Sequence, residues 1–297
     1  MQTPKFIDFK TSDGLTLPGL LYEAKGSKRA VIFLHGNGSS SVFYEEKEYR
    51  DLPEALDKKG ISILKFNNRG ANIIKKLNIS NGSEIKRKAF GMAFEKIKEC
   101  VPDIDGAVKF LQKLGYKEFY LAGASTGANK ICVYDHYKPK NIFKKYILIS
   151  GGDDTGDYYS ILEKKKFFKL LNEAKTKIKK GRGEELVKNL LSTEIFSYQG
   201  FYDIANPDGD YNTFPFSEAF GMSKISKKPL FRYFKSIDKP SIVIYGEKDE
   251  YVWGNIKGVI STLKKYQPNF EYKVIKEADH GFTGKQKELA NIIAGWL

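Results

Sequence analysis

The sequence predicts an α/β fold built on a doubly wound, mostly parallel sheet of eight strands with one insertion. Short apolar runs alternate with helical patterns along most of the 297 residues. This alternation is typical of parallel strands joined by right-handed helical crossovers. It stops at about residue 153 and resumes at about residue 237. We therefore predict a core domain made of residues 1–152 and 237–297, interrupted by residues 153–236.

Apolar runs mark the predicted strands, and the helices lie between them. A turn at residues 12–14 makes the first two strands an antiparallel pair, and the continuous apolar runs are typical of buried central strands. The predicted strands are Phe6–Lys10, Leu15–Tyr22, Ala30–Leu34, Ile61–Phe66, Glu118–Ala122, Lys145–Ile149, Ser241–Tyr245 and Tyr272–Ile275. Predicted helices cover residues 51–59, 83–99, 103–114 and 128–137, a stretch after residue 250, and residues 285–297.

Composition excludes several classes of protein. A hydrophobic fraction of 41% and an aromatic fraction of 14% indicate a globular chain. No apolar run approaches the about 20 residues that cross a membrane, and the N-terminus lacks a secretory signal, so we expect a cytoplasmic protein. Two cysteines and three histidines show no zinc-site spacing. We expect neither a metal nor a cofactor.

The net charge of +14 raises the question of a polyanionic partner. Lysine is spread through nearly every segment, so we expect no nucleic-acid partner. Residues 163–183 concentrate Lys and Arg among phenylalanines and leucines. That segment is either a solvated helix or a contact for an anionic membrane surface, and we favour the solvated helix.

Gly123–Gly127 fits G-x-S-x-G, the turn that presents a nucleophilic serine between a strand and a helix. An aromatic-rich apolar run precedes it and a helical pattern follows it, which is the context that the turn requires. Small residues on both sides of Ser125 leave room for a strained conformation. The alternative is an ordinary turn with an exposed serine.

A nucleophilic serine needs a base, and the chain has three histidines. His136 lies eleven residues beyond Ser125 on the same predicted helix, roughly 16 Å away at about 1.5 Å per residue. His35 ends a different strand, where its side chain serves its own loop. His280 follows the last strand at the edge where sites of such sheets lie, and we predict it as the base.

The acid that orients the base should follow a strand between the serine and His280. Asp249 comes just after the Ser241–Tyr245 strand, so we predict that it fixes the tautomer of His280. The alternatives are Glu247, Glu250, Asp153 and Asp154.

An oxyanion hole needs two backbone N–H groups beside the nucleophile. We predict one from Thr126, and a second from Asn37 or, as the alternative, Gly38. The glycine-rich loop at residues 35–40 lacks the lysine of a P-loop and the spacing of a dinucleotide fingerprint, so we exclude both phosphate sites.

Together these motifs resemble the α/β-hydrolase superfamily, in which Ser, Asp and His follow in this order. The resemblance covers the chain from about residue 5 to its end, apart from the insertion. It rests on His35–Gly38, Asn68–Gly70, Gly123–Gly127, Gly246–Val252 and Asp279–Phe282. The stretch 91–105 is also similar to an esterase-like branch. The usual aspartate after the fourth strand is replaced by Asn67-Asn68, in a loop that is structural in most relatives.

The resemblance implies a helical cap at residues 153–236 and a serine hydrolase, which we interpret as a carboxylesterase acting on a small-molecule ester through Ser125. A thioesterase, an amidase or peptidase, or an acyltransferase would use the same residues. A lipid-surface lipase and a non-catalytic binding protein are further alternatives. Five aromatic residues of the insertion either wall an acyl pocket or pack the cap onto the core: Phe201, Tyr202, Tyr211, Phe214 and Phe216.

Overall fold

The computed structural model describes residues 3–38, 40–43, 49–82, 84–188, 190–191 and 194–297. Its strands are β1 Lys5–Lys10, β2 Thr16–Tyr22, β3 Arg29–Leu34, β4 Ser62–Phe66, β5 Lys75–Asn81, β6 Glu84–Phe90, β7 Glu118–Ala124, β8 Phe143–Ile149, β9 Ser241–Gly246 and β10 Glu271–Ile275. Its α-helices are α1 Leu52–Asp57, α2 Cys100–Lys113, α3 Thr126–Tyr137, α4 Asp154–Lys179, α5 Tyr198–Ala205, α6 Phe216–Ala219, α7 Arg232–Ser236, α8 Ile256–Tyr266 and α9 Gln286–Trp296.

The predicted eight-stranded, mostly parallel sheet is confirmed. Its strand order is β1-β2-β4-β3-β7-β8-β9-β10. The pairs β1–β2 and β2–β4 are antiparallel, and every other neighbouring pair is parallel. Helices α2 and α3 bury apolar side chains on one face, and α1 and α9 do so on the other. The sheet is therefore doubly wound, and the loops that follow β3, β7, β9 and β10 meet at its carboxyl edge.

The helix predicted over residues 83–99 is wrong. Strands β5 and β6 form a separate antiparallel hairpin in this part of the chain, followed by two short 3-10 turns at Met92–Phe94 and Ile97–Glu99. The physical signal is Gly82, because Asn81 pairs with Glu84 across the hairpin and glycine adopts the positive φ that tight hairpin turns need. Gly82 has φ +65°. Residue 83 itself lies outside the described residues.

The described part of residues 153–236 contains four helices and no named strand, in keeping with the lost alternation. Helix α4 is interrupted at Glu163, whose φ of 59° and ψ of 155° are not helical. Within the Lys-rich stretch of α4, Phe167 and Leu170 are buried in the core, so these two apolar side chains point inward. No described helix is long and apolar enough to cross a membrane.

The aromatic residues of this segment pack inside the molecule. Phe201, Tyr211, Phe214 and Phe216 are all buried. The Phe214 ring stacks on Phe216 at 5.9 Å between centroids, and it also covers Gly151, where an added Cβ would lie 2.6 Å from the ring. These contacts support packing of the segment onto the sheet, which was the alternative to a pocket wall.

Candidate active site

Ser125 occupies a sharp turn between β7 and α3. Its φ of 53° and ψ of −127° are unusual for a residue with a side chain. A Cβ on Gly123 would collide with the Gly127 carbonyl, and one on Gly127 would collide with the Leu34 carbonyl. The two glycines therefore let the helix start directly against the sheet, and the serine between them is held in its strained conformation.

His280 and Asp249 are brought together from loops 31 residues apart. The Nδ1 atom of His280 lies 2.9 Å from the Asp249 Oδ1 atom. Asp249 is buried and His280 is partly buried. Burial opposes the charged form of His280, but the bond to Asp249 and the charge of that carboxylate outweigh it, so the pKa of His280 is raised above 6.5. This arrangement leaves Nε2 as the ring nitrogen available to a substrate-side partner.

The other acids considered for this role have different partners. Glu250 accepts a hydrogen bond from the backbone N–H of His280 at 3.0 Å, and Glu247 accepts one from the N–H of Glu277 at 2.9 Å. Asp153 caps α4 by accepting from the N–H of Gly156 at 2.9 Å. Among the described residues, Asp249 is the only one of these five acids that is hydrogen-bonded to the His280 ring.

The other two histidines lie outside this pairing. His35 is buried, and burial lowers its pKa to about 3, so the ring is neutral. Its Nδ1 atom lies 2.8 Å from the Gly36 carbonyl, and its Nε2 atom accepts from the Asn68 N–H at 3.2 Å. This ring therefore ties the loop after β3 to the loop after β4. His136 is exposed on α3 and lies 4.2 Å from the Tyr233 ring between centroids.

The loop after β4, which begins with Asn67-Asn68, is a structural tie. Asn67 accepts from the Val42 N–H at 2.7 Å and donates to the Ser41 hydroxyl at 2.8 Å. Arg69 is buried and donates to the Asp103 carboxylate. These contacts fix the loop after β3, which lies beside the nucleophile.

The predicted oxyanion residues lie next to Ser125. Thr126 is the first residue of α3, and the N–H groups of a first helical turn have no acceptor within the helix. A Cβ on Gly36 would lie 3.1 Å from the Ser125 Cβ, so the loop that carries Asn37 approaches the serine closely. Both Asn37 and Thr126 line the same cleft as the serine.

That cleft has a volume of about 330 Å³ and contains both Ser125 and His280 in its lining. The motifs of the sequence do not predict the rest of its lining. Three carboxylate residues and three tyrosines line it as well: Asp154, Asp157, Glu194, Tyr49, Tyr158 and Tyr251. Of these, Asp154 was considered only as an orienting acid. The one available signal was the position of Asp153-Asp154 directly after β8, at the carboxyl edge of the sheet.

The aspartates of this cleft are hard to ionise. Burial raises the pKa of Asp154 to about 7, and the negative charge of Asp157 adds to the effect. Burial also raises the pKa of Asp157 to about 6, against the opposing effect of His280. Asp154 accepts one hydrogen bond from the Asn129 side chain at 3.2 Å. Nothing in the lining supplies a lysine or arginine to these carboxylates within the described residues.

Comparison with known proteins gives one family and many similar folds. The family described as "Protein of unknown function (DUF1749)" matches residues 85–296. No curated protein sequence matches the chain.

Solved structures of esterases share the architecture over nearly the whole chain. A structure of ferulic acid bound to Est1E from Butyrivibrio proteoclasticus is 14% identical over 97% of this chain and 96% of that one, with a TM-score of 0.61. The esterase Pf2001 from Pyrococcus furiosus is 20% identical over 100% and 92%, with a TM-score of 0.58. The carboxylesterase CesB from Bacillus subtilis is 15% identical over 98% and 90%, with a TM-score of 0.55. At these identities the likeness establishes the α/β-hydrolase fold.

Proposed function

The chain belongs to the DUF1749 family, and from that premise we propose that it is a serine hydrolase that cleaves carboxylic esters through an acyl-enzyme on Ser125. The observation that carries the proposal is the pairing of His280 with Asp249 at 2.9 Å, in a cleft that also contains a serine on a strained strand–helix turn. The esterase names among the structural neighbours support the same chemistry.

The proposed reaction has two steps, acylation and deacylation of Ser125. In each step His280 takes up one proton and gives it back. Ser125 Oγ attacks the acyl carbon while His280 takes the hydroxyl proton. The backbone N–H groups of Thr126 and Asn37 bind the oxyanion. Collapse breaks the ester bond, and His280 gives the proton to the leaving alcohol. A water molecule then attacks the acyl-enzyme, His280 takes its proton, and the acid leaves as the proton returns to Ser125.

Asp249 orients His280 in this scheme and stabilises its charged form. Residues 153–236 are proposed as the cap over a core made of residues 1–152 and 237–297. The cap then supplies one side of the cleft through Asp154, while the loops of the core supply the reacting groups.

Hydrolysis of thioesters or amides and acyl transfer to an alcohol remain alternatives on the same residues. They differ from ester hydrolysis only in the leaving group or the acceptor, which the fold does not specify. A panel of matched p-nitrophenyl esters, thioesters and anilides separates them.

The test of the proposed function is ester turnover by the purified chain with and without the Ser125 hydroxyl. Wild type should hydrolyse short p-nitrophenyl esters, and Ser125→Ala should lose about 10⁶ in kcat, the typical loss for a triad nucleophile. Unchanged melting of the variant excludes unfolding as the cause. Turnover of more than a few per cent in Ser125→Ala would mean that another group is the nucleophile.

A further inference from the structure

The charge of the cleft is opposite to the charge of the protein. The chain has a net charge of +14, yet the described lining of the cleft contains three carboxylate residues and neither Lys nor Arg. Asp154 and Asp157 come from the first turn of α4, and Glu194 comes from a separate stretch before α5. Two distant pieces of chain therefore place carboxyl groups in the cleft that contains Ser125.

The three acids are not occupied by strong partners from the protein. Asp154 accepts from the neutral Asn129 amide at 3.2 Å, and Glu194 accepts from the neutral Tyr158 hydroxyl at 3.1 Å. Every ion pair found in the described residues involves other carboxylates. The positive charges that act on the two aspartates belong to His280 and Lys130, which are paired with Asp249 and Glu95. Partly buried carboxylates without an ion pair of their own are unfavourable, so a cation from outside would stabilise them.

Independent of the acids, tyrosine rings line the cleft. Tyr158 and Tyr251 do so together, and the Tyr251 ring is half exposed and lies 4.6 Å from the His280 ring between centroids. Tyrosine rings beside carboxylates favour organic ammonium groups through cation–π attraction. Within the described chain no three His, Cys, Asp or Glu groups are placed to hold a metal ion, so the arrangement suits an organic cation.

We propose that the substrate is an ester carrying an ammonium group, which binds between Asp154, Asp157 and Glu194 while its carbonyl lies at Ser125. This inference rests on the proposed function, because it takes the same cleft as the reaction site. The ammonium group belongs to either the acyl or the alcohol part, since both parts of a bound ester extend from the carbonyl into the cleft. Burial favours the protonated forms of these acids. A bound cation favours their ionised forms and so offsets the effect of burial.

Two pairs of esters that differ only in charge test the proposal. Acetylcholine and its neutral isostere 3,3-dimethylbutyl acetate probe the alcohol part, and ethyl 6-aminohexanoate and ethyl heptanoate probe the acyl part. At pH 8, above the pKa values of about 7 and about 6 for Asp154 and Asp157, wild type should favour the cationic ester of at least one pair. The expected preference in kcat/KM is about tenfold or more, because two opposite charges about 4 Å apart near a protein surface attract by more than the free energy of a tenfold change.

Variants test whether the acids of the cleft cause the preference for a cationic ester. Asp157→Asn and Glu194→Gln keep the shape of each side chain and remove one charge, so each should lower the cationic-to-neutral ratio about tenfold. Asp8→Asn removes the same charge from the exposed side of β1 and should leave the ratio unchanged. Melting curves show whether each variant is folded. The preference of the wild-type enzyme for cationic esters is measured without any variant, so it does not depend on their folding.

The outcomes separate this inference from the proposed function. Hydrolysis of the neutral esters with equal or poorer hydrolysis of the cationic ones would overturn the ammonium proposal and leave the serine hydrolase intact. A cationic preference that persists in both Asp157→Asn and Glu194→Gln would also overturn it. If wild type hydrolyses none of the four esters, both proposals fall.

Discussion

The two sides of the cleft are built from different kinds of structural element. The core side consists of loops after strands of the sheet and carries Ser125, Asn37 and His280. The insertion side consists of the start of α4 and the stretch before α5, and it carries Asp154, Asp157 and Glu194. On the proposed function, the core side holds the reacting groups at strand ends, whereas the insertion side holds carboxyl groups that no sheet geometry requires. Reaction and substrate choice would then be encoded in different parts of the chain.

Removal of the base should have the largest effect on the core side. We expect His280→Ala to lower kcat by about 10⁶, as for loss of a triad histidine, because no second ring is placed to accept the Ser125 proton. His136→Ala is the matched control, since that ring lies exposed against Tyr233. Steady-state kinetics on one neutral ester measure both. Equal losses in the two variants would remove His280 from its role.

Asp249→Asn should have the next largest effect. The variant keeps the size of the side chain but favours the wrong tautomer of His280, and the expected loss in kcat is about 10⁴. The matched control is Asp8→Asn on the exposed side of β1, which should retain full activity. A loss of less than about tenfold for Asp249→Asn would show that another acid orients the histidine.

A packing residue of the insertion should change stability without changing selectivity. Phe214 is buried and stacks on Phe216 at 5.9 Å, so Phe214→Ala should lower the free energy of unfolding by about 3–5 kcal/mol. Phe6→Ala, at a ring that is 69% exposed, should cost below about 1 kcal/mol. Urea unfolding measures the loss. An altered ratio among neutral esters in folded Phe214→Ala would mean that this ring contacts substrate.

The smallest expected effect is on the pH profile. The pKa of His280 is raised above 6.5, and only the unprotonated ring accepts a proton from Ser125. Activity should therefore fall as the pH drops, with the midpoint of kcat/KM above 6.5. A neutral ester is the right substrate, because ionisation of Asp154 and Asp157 then changes substrate attraction least. A midpoint below 6.5 would contradict the raised pKa.

The core side could be predicted from sequence because its signals are local. Gly123 and Gly127 are required by close backbone contacts. Asp249 follows β9, a continuous and fully buried run, and His280 follows the last strand, β10. The positions of these loops then follow from parallel strand geometry.

The insertion side could not be predicted in the same way. Its helices lack a sheet to fix their place, so the approach of Glu194 and Asp157 to one cleft depends on tertiary packing. The aromatic residues Tyr211 and Phe216 could have walled a pocket or packed the segment onto the core. Both are buried, which supports packing. The hairpin of β5 and β6 was missed for a different reason: a tight turn at Gly82 outweighs the helical pattern that follows it.

The most direct measurement of the central claim is covalent labelling by a fluorophosphonate probe, mapped by peptide mass spectrometry. The probe reacts with a serine only when a base activates the hydroxyl and an oxyanion site receives the phosphoryl oxygen. The account predicts one adduct on the peptide containing Ser125, absent in Ser125→Ala and strongly slowed in His280→Ala. No adduct on folded wild-type protein, or an adduct on a different residue, would contradict it.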